Sequence, residues 1–247
     1  MTPAHAPRRI AGTDPTILLV CDHASNAVPP GIDLGITPDS LTKHIAIDIG
    51  TAALTEALAA VLEAPAVLAT VSRLVIDLNR PTDHPGLIPV ESDGHRIPGN
   101  SGVDRAERIA RFHTPYHDAL AATIAAARPT LIAAIHSFTP QLESGAGTPR
   151  PWEIGILSNE DRRAAKLALD LLAAHGLAPG DNEPYSGRLL NATLDRHGEG
   201  NGIASLSIEI RNDLLRDAAG VHRWTMILAP ILREISNRLA SDGHLAT

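Results

Sequence analysis

Two histidines, His23 and His136, each follow a short apolar run, TILLVC and TLIAAI. Neutral imidazole suits zinc, and a catalytic zinc takes three protein ligands and leaves one position open. The pair is therefore expected to hold a divalent metal ion. A third ligand is less plain. Asp48 shares a helical face with Leu41, His44, Ile45 and Ala52 by three-and-four spacing, and a carboxylate on an apolar-sided face needs a partner. That partner is either His44 or the metal and its imidazoles. Asp22 and Asn26, beside His23, are competing ligands, although a neutral amide serves zinc poorly. Glu209 alternates with apolar residues in ASLSIEIR, so it pairs with Arg211 on a sheet face or acts as general base on a water. In DLNRP, Asn79 and Arg80 offer an amide and a guanidinium fork to a carboxylate, or tie down their own loop, with Asp77 available to lock Arg80. Arg73 is a second cationic candidate.

Other polar clusters carry less chemistry. His113 and His117 stand four apart in RFHTPYHDAL, but Pro115 between them interrupts regular helix geometry, so they are read as packing or substrate-lining residues. Cys21 is expected to be a small buried hydrophobe. No GxSxG frames Ser25, and neither GxxxxGK[ST] nor a GxGxxG context is present, which argues against a serine triad and against nucleotides.

For these groups to meet, strands must bring them to one edge. TILLVC (16–21), AVLAT, RLVIDL, TLIAAIH (130–136), WEIGILS and ASLSIEIR (204–211) read as strands, and 37–63, 101–128, 160–175 and 213–240 as helices. Pro38 opens the first helix, Gly176 ends the third, and Pro230 kinks or bounds the last. Alternation of this kind predicts a three-layer α/β domain around a largely parallel or mixed sheet. In such sheets the ligand crevice lies beyond the carboxyl ends of the strands, where His23, Asp77, Asn79, Arg80, His136, Ser137, Glu209 and Arg211 fall.

The chain has 247 residues, 44% hydrophobic and 20% charged, with 2% aromatic residues and a formal charge of −7. That is one soluble domain over 16–240 with an aliphatic core, a flexible arm over 1–15 and a tail over 241–247. Acidic balance and the lack of a basic run argue against nucleic acid. A polar, proline-broken start and a single cysteine fit a cytoplasmic protein with no membrane span.

VCDHASNAVP, HIAIDIG, SRLVIDLNRP, FHTPYHDAL, IHSFTP, IGILSN and SIEIRNDL together resemble the N-formylglutamate amidohydrolase family, in a branch with a DHASN-type segment. The likeness runs from about residue 17 to 235. It implies the fold of zinc-dependent exopeptidases, phosphorylase/hydrolase-like, with an eight-stranded mixed, mostly parallel sheet between helices. It also implies hydrolysis of an N-acyl amino acid, N-formyl-L-glutamate in histidine degradation, to the amino acid and formate. His23 and His136 match the zinc histidines of the wider carboxypeptidase-like group, Glu209 its general base, and Asn79 with Arg80 its carboxylate receptor. Where that group places a ligating glutamate three residues after the first histidine, this chain has Asn26, which raises interest in Asp48 as the third ligand. Zn2+ is the implied cofactor. The metal and one arginine, with Arg73 the catalytic candidate, would steady the oxyanion; Arg73 or Arg211 would meet a second substrate carboxylate, and Ser137 is a further substrate-binding candidate. The partner is a small anionic substrate, the protein a monomer or homodimer. The alternatives are a related hydrolase for another N-acyl amino acid or small acidic peptide, and an acidic small-molecule binding protein without turnover.

Overall fold

The structure, a computed structural model, describes residues 5–245. Residues 1–4 and 246–247, the outer ends of the expected arm and tail, lie outside the described residues. In chain order the strands are β1 (Arg8–Ile10), β2 (Ile17–Cys21), β3 (Ala66–Leu68), β4 (Glu91–Ser92), β5 (His95–Arg96), β6 (Leu131–Phe138), β7 (Ile154–Leu157), β8 (Gly180–Asp181) and β9 (Ala204–Arg211). The α-helices are α1 (Thr51–Leu62), α2 (Arg105–Arg108), α3 (Thr114–Ala127), α4 (Arg163–Ala174), α5 (Ala192–His197) and α6 (Ala218–Leu245).

Seven strands form one sheet in the order β1-β3-β2-β6-β9-β7-β8, and β4 with β5 makes a separate two-stranded ribbon. Among the described residues the count is seven, against the eight the resemblance implied. β3, β2, β6 and β9 run parallel, β1 is antiparallel at one edge, and β7 and β8 oppose β9 at the other. β2 and β6 are buried along their whole length, as their unbroken apolar runs require of strands covered on both faces. One face packs Leu19, Ile135, Leu206 and Ile208 against α1, α4 and α6; the other packs Leu18, Val20, Ile132 and Ala134 against residues 71–78 and α3. Residues 8–10 of the expected arm are thus an edge strand.

Three elements differ from expectation for identifiable reasons. RLVIDL is not a strand. Ser72 turns the chain, its hydroxyl donating to the Ala46 carbonyl and accepting from the Leu74 amide. Asn100 then donates to the Leu74 carbonyl and Arg108 to the Val75 carbonyl, so side chains replace a neighbouring strand. The helix expected over 37–63 is a 3₁₀ turn over Pro38–Thr42 and then α1, separated by irregular chain. Gly50, at φ +82°, begins α1 in a left-handed conformation, and a Cβ there would lie 2.4 Å from Leu215 Cβ. In the helical 101–128 stretch the disturbance is a π turn over Ile109–His113, immediately before Pro115, whose missing N–H cannot continue the α ladder. Pro230 lies inside α6 rather than at a boundary.

Candidate metal centre

β2 ends at Cys21, which delivers His23 just beyond the sheet, and β6 carries His136 near its carboxyl end. Asp48 arrives from the irregular chain before α1. Its amide donates to the His23 carbonyl, and its carbonyl accepts from the Thr51 hydroxyl in the first turn of that helix. Asp48 Oδ2 then lies 3.2 Å from His23 Nδ1 and 2.9 Å from His136 Nδ1, and also accepts from the Ser137 amide. All three residues are buried, and one ligand atom from each falls within 4.8 Å of the others.

Each imidazole is backed by a second carboxylate. His23 Nε2 lies 2.8 Å from Asp77 Oδ1, and His136 Nε2 lies 3.2 Å from Asp22 Oδ2, close but outside hydrogen-bonding alignment. Carboxylates there favour a proton on each Nε2 and turn the Nδ1 lone pairs inward, the arrangement of metal-ligating histidines. Each Nδ1 meets Asp48 Oδ2 either as a hydrogen-bond donor from a protonated ring or, with a divalent cation among the three atoms, as a lone pair. The donor set of two nitrogens and one carboxylate fits a catalytic divalent ion. Burial works against charge on either ring, and Arg73 works against it on His23, yet the carboxylates hold both imidazoles above the ordinary histidine range.

Arg73 braces the cluster, with Nη1 3.1 Å from Asp48 Oδ1 and Nη2 2.7 Å from Asp77 Oδ2. Burial opposes the charge on Asp77, but Arg73 and His23 outweigh it and keep the carboxyl far below its usual range. Glu209 faces His136 directly in the β6–β9 register. Its Oε2 is buried without a hydrogen-bond partner among the described residues, and burial lifts its carboxyl to about 7.

These groups line one cavity of about 390 Å³, together with Asn79, Arg80, Ser137, Tyr185, His44 and Asp93. Arg80 Nε is 3.9 Å from Asp77, so its guanidinium is only loosely engaged. Asn79 is committed to a neighbouring loop, accepting from the Thr193 amide and donating to the Leu190 carbonyl. Ser137 donates its hydroxyl to the Ile49 carbonyl. Arg211 is outside the lining, forked onto Asp213, and Asn26 donates to the Leu41 carbonyl. His44 pairs with Asp93 rather than Asp48. Asp93 also accepts from the amides of Glu143 and Ser144, while Glu143 meets Lys43 and His95, which ties the β4–β5 ribbon to the loop after β6. Sequence reasoning passed over Tyr185 and Asp93. Neither stands beside another candidate in the chain.

A profile of the family described as N-formylglutamate amidohydrolase matches residues 16–216. The chain belongs to that family. Among solved structures it is similar to a gene product of Agrobacterium tumefaciens, Atu2144, at 32% identity and TM-score 0.86, covering 98% of this chain and 97% of that one. It is also similar in fold to N-formylglutamate amidohydrolase from Ralstonia eutropha JMP134, at 20% identity and TM-score 0.75, covering 96% and 99%. A comparison with curated proteins finds no match. Family membership and the His23–Asp48–His136 cluster together make the chain a metal-dependent amide hydrolase. Among the described residues no helix is long and apolar enough to cross a membrane.

Proposed function

We propose that this member of the N-formylglutamate amidohydrolase family hydrolyses the amide of an N-acyl amino acid, with N-formyl-L-glutamate the first candidate and zinc the ion. The observation that carries the reading is the buried, unpartnered Glu209 carboxylate oxygen beside the His–Asp–His cluster, in a cavity that also holds a loosely engaged arginine. A divalent ion on His23, Asp48 and His136 would supply Lewis acidity, easing the ionisation of water and polarising the acyl carbonyl.

The remaining work falls to the chain. Glu209 takes a proton from water as its oxygen bonds to the acyl carbon. It gives that proton to the amide nitrogen as the C–N bond breaks, releasing formate and the amino acid. Burial, which raises this carboxyl, works in the direction a group that both takes and returns a proton requires. Arg80 receives the amino-acid carboxylate, and so orients the amide over the cluster. Arg73, with two of its donors bound to Asp48 and Asp77, holds the centre's carboxylates and has N–H groups left for the developing oxyanion.

A second reading concerns the side chain of the substrate. N-formylglutamate has two carboxylates, yet Arg73 is held by two aspartates, and the ribbon side of the cavity presents the His44–Asp93 pair. Those groups favour an N-acyl amino acid whose side chain is neutral or donates hydrogen bonds. Parallel turnover of N-formyl-glutamate, N-formyl-glutamine and N-acetyl analogues separates the two.

Glu209→Gln is expected to keep its zinc and lower kcat by about 10² to 10⁴. A chelator should abolish wild-type turnover and zinc should restore it. Wild-type turnover by Glu209→Gln removes Glu209 as the base, and binding without turnover in zinc-loaded wild type makes the protein a binding protein.

A further inference from the structure

The motif His113-Thr114-Pro115-Tyr116-His117 takes no part in that chemistry, yet its three ring side chains are buried. The π turn and the first turn of α3 present all three toward the back of the active site. His117 Nε2 lies 3.0 Å from the Leu78 carbonyl oxygen, and His113 Nε2 lies 3.1 Å from that of Arg80. A carbonyl only accepts, so each Nε2 carries its hydrogen. His117 Nδ1 then accepts from His197 Nε2, 2.9 Å away on α5, whose ring stacks on it at 10°. Burial keeps this pair neutral, with His117 pressed down to about 3 and His197 to about 4. Tyr116 donates its hydroxyl to Asp22 Oδ1 at 2.8 Å, joined there by the Thr193 hydroxyl at 3.0 Å. The other oxygen of Asp22 is the one behind His136.

Residues 77–80 lie outside the sheet, so no neighbouring strand fixes their carbonyls. The Asp77 carbonyl accepts from the Arg80 amide, the Arg80 carbonyl from His113 in the π turn, and the Leu78 carbonyl from His117 on α3, with the Thr193 hydroxyl also reaching it at 3.4 Å. We propose that this motif positions the active site through two separate sets of contacts: Tyr116 fixes Asp22 behind the ligand His136, while His113 and His117 fix the Arg80 and Leu78 carbonyls and thereby aim the Arg80 guanidinium. This rests on the reading of the cluster as a metal centre and of Arg80 as the carboxylate receptor. All five variants below act through other residues, and none is a catalytic residue.

The test uses the full chain as Tyr116→Phe, His113→Leu and His117→Leu, with His113→Gln and His117→Gln, whose amide nitrogen can replace the Nε2 donor. Zinc affinity is measured by competition with a chromophoric chelator, backbone deuterium uptake over residues 77–80 by mass spectrometry, and kcat and KM at saturating zinc. Tyr116→Phe is expected to weaken zinc binding about ten-fold or more, with activity recovering as zinc is raised. Both leucine variants are expected to lose less zinc affinity than Tyr116→Phe, exchange faster over 77–80 and raise KM about ten-fold with a smaller effect on kcat. The glutamine variants are expected to restore both. Unchanged zinc affinity in Tyr116→Phe, or leucine variants with wild-type KM and exchange, overturns the proposal. So does the same loss of zinc and KM in every variant, which marks general loosening of the fold. Should His117→Leu not fold, His113→Leu and its glutamine partner decide the second set of contacts. If wild type turns over no N-acyl amino acid, the functional reading fails, and zinc affinity with deuterium uptake still decides this one.

Discussion

Replacing Glu209 by glutamine should do more than stop turnover: it should make the metal-free protein more stable. Burial is the main influence on this carboxyl and raises it from 4.5 to about 7, with Asp48 pushing the same way and His136, His23 and Arg73 opposing. An unfolded chain ionises Glu209 near 4.5, whereas the folded chain keeps the proton until about 7. The unfolded state therefore binds fewer protons in that window, and stability falls as pH rises through it. At about 1.4 kcal/mol per pH unit, the separation of about 2.5 units amounts to roughly 3 kcal/mol of cost at pH 8 and under about 1 kcal/mol at pH 5. Glutamine keeps the shape and removes the ionisation. In chelator at pH 8, Glu209→Gln should gain on the order of 3 kcal/mol in urea unfolding and about 10 °C in Tm. The gain should shrink at pH 5, and also when zinc is added, because a cation favours the carboxylate. A variant no more stable than wild type at pH 8, or a gain that ignores pH, refutes the reasoning.

Two further outcomes follow from the same geometry. Arg73→Met leaves Asp48 and Asp77 without their shared cation and should destabilise the metal-free protein by about 3–5 kcal/mol; a loss below about 1 kcal/mol in urea unfolding would show that the bridge is dispensable. Burial holds His117 at about 3 and His197 at about 4, against 6.5 for the free side chain, with His113 and Arg196 also pushing both down and Asp22 pulling both up. Their neutral forms stabilise the fold above pH 6.5, and that stability drains away as the medium is acidified toward pH 4. His117→Gln, which does not titrate, should flatten the fall by up to about 1.4 kcal/mol per pH unit; an unaltered slope in unfolding measured against pH removes His117 as the source.

The sheet was readable in the sequence wherever burial on both faces wrote a continuous apolar run, as in TILLVC and TLIAAIH. Because such runs stop at the sheet's edge, His23 and His136 announced themselves as neighbours. RLVIDL has the same composition but is covered by side-chain donors, and composition does not distinguish a strand neighbour from Asn100 and Arg108. Asp48 came into view through a helical face that the chain does not form. Gly50 breaks the helix ahead of it, and the carboxylate reaches the histidines from irregular chain. Asp22 and Asp77 were visible as polar neighbours of candidate residues, but which of them backs which imidazole depends on contacts across 54 or more positions of sequence. The HTPYH spacing was plain, and its purpose was not, since the carbonyls it receives belong to a distant segment.

His136 and Glu209 are directly opposed on adjacent parallel strands at the middle of the sheet. The spacing between the proposed ligand and the proposed general base is thus set by the main-chain ladder, while the ribbon side of the cavity is built from segments outside the seven-stranded sheet. Insertions or replacements in those segments can retune which molecule is admitted and leave the reaction centre's dimensions untouched. One scaffold can in this way diversify its diet without rebuilding its chemistry.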